Sequence, residues 1–245
     1  APRSREWVCE VLQKQFPLGV KKDISNEFQS RDLKRPSIDR SQLHSILNIE
    51  PITVDKEKIA PYKKTNFSAE IKVAGFGGQG ILSLGLVLAE MGMRHEYEVS
   101  WLPSYGPEIR GGTANCSVKI SNRKIGSPVV ANPTILIAMN RPSLDKFEND
   151  VISDGIIIYD DSIIDRAPLR QDVRVLPIPA TKLADELGNS KAANMIIVGA
   201  LIEYLGFMSV EVVLNSLGEV LRQKNLVELN QKALLKGVDF TSKIK

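Results

Sequence analysis

The sequence predicts a doubly wound α/β fold: a mostly parallel sheet covered by helices, preceded by a polar N-terminal extension. Three observations carry that expectation. From Ser68 onward, apolar runs of strand length alternate with longer runs of helical periodicity. A glycine turn joins the first such strand to the first such helix. Glycine is also unevenly placed, with only Gly19 among residues 1–65 although the chain holds 17. At 245 residues and 43% hydrophobic, residues 66–245 can build one sizeable core.

Taken in order, residues 71–74 read as a buried strand, 75–80 as the turn and 81–93 as an apolar helix. Residues 97–102 read as a second strand. Residues 113–121 alternate, with Ala114, Cys116, Val118 and Ile120 on one face, and read as a strand with one wet side. Further strands are expected at 135–139, 155–159 and 173–178, and helices at 195–204, 210–221 and 226–235. Pro142 suits the first position of another helix, beginning beside Arg141.

Residues 1–65 are different in kind. They are broken by Pro17, Pro36, Pro51 and Pro61 and carry 13 Lys/Arg against 9 Asp/Glu. The remainder carries 19 against 20, so the net charge of +3 comes from the extension. A helix over 5–16 would gather Trp7, Val8, Val11, Leu12 and Phe16, and one over 41–48 would gather Leu43, Ile46 and Leu47. Neither can build a core alone. The expected organisation is an arm at 1–65 that packs against another chain, or a disordered tail, ahead of one domain at 66–245.

Composition excludes several classes. The near-neutral body has no basic stripe for nucleic acid. The longest apolar stretch, 194–205, is interrupted by Gly199 and Glu203 and falls short of the roughly 18 residues of a membrane span. The first residues mix Arg3 and Arg5 with Glu6 and Glu10 around no apolar signal core. Two distant cysteines, Cys9 and Cys116, make no disulfide framework, which points to a reducing, cytoplasmic setting. They also fall short of the about four thiolates an iron–sulfur cluster wants. With only His44 and His95 besides, no zinc site is expected.

The turn Gly75-Phe76-Gly77-Gly78-Gln79-Gly80 fits G-x-G-x-x-G between strand and helix. Gly75, Gly77, Gly78, Gln79 and Gly80 are therefore candidate cofactor-binding residues, since glycines allow a tight path and helix-start amides attract an anion. Close helix–strand packing is the competing explanation. Dinucleotide binding further requires an acid at the far end of the second strand. That strand ends Val99-Ser100-Trp101-Leu102-Pro103, and Glu96 and Glu98 lie at the wrong end.

The next stretch, 102–113, holds two prolines and three glycines around Ser104, Tyr105, Glu108, Arg110 and Gly111. A stiff loop loaded with a ring and opposite charges, at a strand's carboxyl end, suits a ligand cleft or an interface. A surface pair between Glu108 and Arg110 is the plainer alternative. Asn140 is expected either to cap the helix after it or to line the cleft. Asp160-Asp161-Ser162 reads as a solvated turn, and Lys191 as part of a helix start within reach of a phosphate.

The runs GFGGQGI (75–81), WLPSYGPEIRGGTANCSVKIS (101–121), IGSPVV (125–130) and ILIAMNRPSLDKFE (135–148) together resemble the gamma subunit of 2-oxoacid:ferredoxin oxidoreductases, the pyruvate ferredoxin oxidoreductase group. The resemblance covers about residues 71–206 and leaves 1–65 outside it. It implies a Rossmann-like domain within a hetero-oligomer that oxidatively decarboxylates a 2-oxoacid. The complex would use thiamine diphosphate and Mg on alpha and beta subunits, iron–sulfur clusters on cluster-bearing subunits, coenzyme A as acyl acceptor and ferredoxin as electron acceptor. It implies no catalytic residue on this chain, which would be inactive alone. A free-standing NAD(P)-dependent oxidoreductase and a non-catalytic scaffold are the alternatives.

Overall fold

A computed structural model describes residues 66–105, 113–221 and 224–244. The readings made for residues 1–65 lie outside the described residues. In chain order the elements are β1 (Ser68–Phe76), α1 (Ile81–Arg94), β2 (Glu98–Tyr105), β3 (Thr113–Ser121), β4 (Ile135–Ala138), α2 (Arg141–Phe147), β5 (Ile156–Asp160), β6 (Arg174–Ile178), α3 (Ala180–Asp185), α4 (Ala193–Leu205), α5 (Val210–Val220) and α6 (Val227–Ile244). The strands form one sheet in the order β2-β3-β1-β4-β5-β6. β1, β4, β5 and β6 pair in parallel, whereas β3 runs antiparallel to both β1 and β2. The mostly parallel α/β sheet is therefore as expected, and the inserted antiparallel strand is an addition.

Each strand sorts its side chains between two faces. One face carries Ile71, Val73, Cys116, Val118, Ile120, Ile137 and Ile158, all fully buried, under α1 and α4. The other carries Leu136, Ala138, Ile157 and Tyr159 in a smaller cluster with Leu144 of α2. On that second face β1 and β3 are polar: Lys119 pairs with Glu70 at 2.9 Å and Lys72 donates to Ser117 at 3.0 Å. This is the wet side expected of β3.

The α1 stripe Ile81, Leu84, Leu88 and Met91 recurs every three or four residues, which lays one face on the sheet. In α4 every residue from Ala193 to Ile202 is buried, because α6 covers what the sheet does not. The two helices meet at glycines. A Cβ on Gly199 would collide with the Leu234 carbonyl, and one on Gly237 with the Ile196 carbonyl. At the end of α1, His95 is buried, with Nδ1 at 2.8 Å from the Met91 carbonyl and Nε2 at 2.9 Å from the Ser209 amide. Only a neutral ring with its proton on Nδ1 can donate to the first and accept from the second. Burial accordingly pushes the imidazole below its usual range, although the Met91 carbonyl opposes this.

Some boundaries differ from the sequence reading. β2 continues through Pro103 to Tyr105, so Ser104 and Tyr105 belong to a strand and not to a loop. Proline is tolerated there because β2 is an edge, where an absent N–H need not break a ladder. The opposite edge, β6, carries Pro177 with its nitrogen turned outward, since Arg174 N bonds inward to Gly155. Both edges thus resist further strand pairing. The short α3 had no periodic signal, and α6 runs nine residues past its expected end through polar sequence to Ile244.

Candidate functional site

The chain turns away from β1 through α1 on one face, and away from β4 through α2 on the other. The carboxyl ends of β1 and β4, which are hydrogen-bonded neighbours, are therefore the topological switch point, where open α/β sheets take ligands. Gly75–Gly80 lies there. Gly78 (φ 102°) and Gly80 (φ 71°) occupy the left-handed region, which a side chain would strain. Gly80 has a second constraint: a Cβ would collide with the Asn194 amide, which donates to the Gly80 carbonyl at 3.3 Å. A Cβ on Gly75 would lie 2.5 Å from Ile81 Cδ1 and 2.8 Å from Gln79 Oε1. Close packing thus accounts for Gly75 and Gly80, while Gly77 and Gly78 are exposed.

Gln79 turns inward. Its Oε1 accepts from the Phe76 amide at 2.6 Å and from Asn140 Nδ2 at 3.3 Å, and its Nε2 donates to the Met139 carbonyl at 2.7 Å. One side chain therefore ties the end of β1 to the end of β4. Asn140 does both things weighed for it. Its Oδ1 caps α2 by accepting from Ser143 N at 2.8 Å, and its amide reaches the switch point.

The outer side of the turn faces a cavity of about 830 Å³ lined by Gly78, Gly80, Ser83, Trp101, Lys191 and Asn194, with apolar side chains of α1, α4 and α5 and of Leu221 and Leu226 closing it. α1 has no side-chain cap and no acid in its first turn. The Lys191 side chain is exposed at that rim. Positive potential from the helix start and the ammonium favours an anionic group. Asn194 Oδ1 is buried without a partner, a polar cost that packing around Gly80 sustains.

Ser104 is exposed at the end of edge strand β2, on the same side of the sheet as Leu102. Glu108, Arg110 and Gly111 lie outside the described residues, as does the Tyr105 side chain. The structure also changes the dinucleotide question. β3 separates β2 from β1, so the end of β2 stands roughly 10 Å from the turn, two strand spacings away. An acid there would stand one strand further from the turn than in a fold whose second strand neighbours the first.

Asp160 corrects an expectation. The sequence suggests a solvated turn over 160–162, and Asp161 and Ser162 do form an exposed turn, yet Asp160 is fully buried at the end of β5. Its carboxylate accepts from Ser162 N and Oγ and from Thr181 N and Oγ1, at 2.5–3.2 Å, and so starts α3 and fixes the β5 exit. A signal existed in the Asp-x-Ser spacing, which favours a side-chain turn. Cys116 is buried, and burial pushes its thiol up to about 11, although the Trp101 indole beside it acts the other way. Among the described residues no three His, Cys, Asp or Glu side chains cluster as a metal site. No helix among them is long and apolar enough to cross a membrane.

Residues 70–240 match the family described as Pyruvate ferredoxin/flavodoxin oxidoreductase. The chain is 33% identical over 248 residues to Ketoisovalerate oxidoreductase subunit VorA of Methanothermobacter marburgensis, across 99% of this chain and 50% of VorA. It therefore spans about half the length of that relative, and the alignment takes in residues 1–65, where the motif resemblance had stopped. It is 36% identical to 2-oxoglutarate synthase subunit KorC of Methanothermobacter thermautotrophicus over 170 residues, 64% of this chain and 89% of KorC. Its fold matches the crystal structure of the keto/oxoacid ferredoxin oxidoreductase gamma subunit from Geobacter sulfurreducens PCA with a TM-score of 0.62 and 25% identity, over 71% of this chain and 99% of that one. On its sequence and its fold alike, the chain belongs to the pyruvate ferredoxin/flavodoxin oxidoreductase family.

Proposed function

We infer that the chain is the gamma-type part of a multi-subunit 2-oxoacid:ferredoxin oxidoreductase in the cytoplasm. The observation that carries this is the coverage: residues of the α/β domain account for 89% of KorC and 99% of the Geobacter gamma subunit. The 2-oxoacid would be decarboxylated on alpha and beta partners holding thiamine diphosphate and Mg. Electrons would pass to ferredoxin through clusters on further subunits, and the acyl group to coenzyme A. This chain does not fit a cluster. Its two cysteines, Cys9 and Cys116, fall short of the about four thiolates a cluster takes, and among the described residues no His, Cys, Asp or Glu side chains gather beside Cys116 to replace them.

The part of this chain in that assembly is architectural and ligand-positioning. Lys191, the first-turn amides of α1 and the Gly77–Gly78 backbone form a positive rim suited to a phosphate of coenzyme A, and the apolar cavity beside it suits an uncharged arm. Ser104 and the segment that follows, with Tyr105, Glu108, Arg110 and Gly111, are assigned to the edge of that cleft or to the interface with the alpha subunit. Residues 1–65 are assigned to contacts with a sister subunit.

The test is purification of the native complex with this chain as bait, followed by mass, iron and thiamine diphosphate determination. Recovery with larger chains carrying iron and thiamine diphosphate is the expected result. Recovery as an iron-free monomer or homodimer overturns the assembly.

A further inference from the structure

The inner side of the glycine turn carries an inference separate from the assembly. In a doubly wound fold, glycines at the first turn leave room beside the backbone for an anionic group, which bonds to the exposed amides. Here the space beside Gly75 is taken by side chains: a Cβ built there would sit 2.5 Å from Ile81 Cδ1, on the packed side, and 2.8 Å from Gln79 Oε1, on the side of the turn. The amide of Phe76 points into it. The protein fills the room itself, two ways at once, with Gln79 Oε1 on the Phe76 amide at 2.6 Å and Gln79 Nε2 on the Met139 carbonyl at 2.7 Å. Asn140, held by its cap on α2, donates to the same oxygen.

We propose that Gln79 is a built-in ligand surrogate, its carboxamide standing where the turn would otherwise hold a phosphate or pyrophosphate, so that the switch-point crevice is closed to nucleotides. Three features make the carboxamide suited to this. Its oxygen meets donors from β1 and α2, as an anion would. Its nitrogen also donates to the Met139 carbonyl and so ties the end of β4 to the turn. Being covalently attached, it competes at high effective concentration, as an intramolecular group does. Anion binding by the turn is then confined to the outer side at Lys191, and the crevice acts as a joint between β1 and β4.

The experiment is titration of the isotope-labelled full chain with inorganic pyrophosphate, following the Phe76 amide resonance, in the wild type, Gln79→Ala and Gln79→Glu. Gln79→Ala frees the Phe76 amide and the Asn140 donor. A saturable shift of Phe76 is expected there, complete at pyrophosphate concentrations at least tenfold below any that move Phe76 in the wild type or in Gln79→Glu, whose carboxylate keeps the Phe76 amide occupied. A folded Gln79→Ala protein that binds no better than the wild type overturns the proposal. So does a saturable Phe76 shift in the wild type, which decides the matter even where Gln79→Ala does not fold. Shifts at Ser83 that vanish in Lys191→Glu report on the outer rim alone, so failure of that site is told apart from failure of this one.

Discussion

On one face of the sheet, α1, α4, α5 and α6 bury a continuous apolar cluster that runs from Ala69 to Leu234. Phe207 is fully buried within it and stacks on Phe67 at 4.8 Å between centroids. On the other face the cluster is small, and α2 and residues 161–173 are held instead by arginines. Arg141 pairs with Asp145 and Asp165, Arg166 with Asp145 and Glu148, and Arg170 with Asp172. The difference follows from length. α2 has seven residues and the segment after β5 has few apolar anchors besides Ile164, so charge supplies what area cannot. The candidate site sits where the two regimes meet, with its turn opening α1 and its Asn140 capping α2.

The comparison breaks most visibly at Phe207. Phe207→Ala is expected to cost about 4 kcal/mol, from lost transfer energy and the cavity left behind. Leu144→Ala in the small cluster is expected to cost less, about 2–3 kcal/mol, because a smaller side chain is removed and leaves a smaller cavity. Chemical denaturation of the two variants ranks them, and equal losses would mean the faces do not differ in this way. Gly199→Ala tests the same large face by overfilling it. The added methyl meets the Leu234 backbone, which cannot swing aside, and about 2 kcal/mol of destabilisation is expected from the same measurement.

Acid should act on the two faces in sequence. His95 is neutral in the fold, and burial holds its pKa below the unfolded value of about 6.5. The unfolded chain then binds the extra proton, so stability falls as pH drops below about 6.5, by at most about 1.4 kcal/mol per pH unit for one group. On the ion-paired face, burial raises the Glu148 carboxyl, but the Arg166 guanidinium and the Leu169 amide outweigh it and hold the pKa below the ordinary value. That contribution is present above pH 4.5 and is lost as pH falls below it. Melting temperature measured from pH 8 to 3 should show two separate declines. His95→Gln should remove the first and leave the second in place.

Much of this was legible in the sequence, for reasons that also mark the limit. Alternation and glycine placement locate elements because burial is written into local periodicity. They do not say which strands are neighbours. The insertion of β3 between β1 and β2 had no local signal, and with it went the geometry that decides whether the turn can serve a dinucleotide. Gln79 was read as a binding residue because it lies in the motif; that its side chain turns inward depends on Met139 and Asn140, 60 and 61 residues away. Asp160 was misread because the partner that buries it, Thr181, comes from the next crossover. Ser104 and Tyr105 were read as loop because Pro103 looks like a strand end, and only the edge position of β2 explains why it is not one.

The effect sharpest on mechanism is expected at Arg166. Its guanidinium bridges Asp145 of α2 and the buried Glu148, so it fastens residues 161–173 to the helix. Arg166→Ala leaves Glu148 with the Leu169 amide and no direct ion pair. At low salt the variant should melt below the wild type. Raising salt to about 1 M shortens the screening length to about 3 Å and should narrow that gap from the wild-type side. The gap between wild type and Phe207→Ala should persist, because apolar burial is not screened. If salt leaves the Arg166→Ala gap unchanged and Arg166→Met melts with the wild type, the arginines act through packing of their carbon stems, and both faces of the sheet are held by the same force.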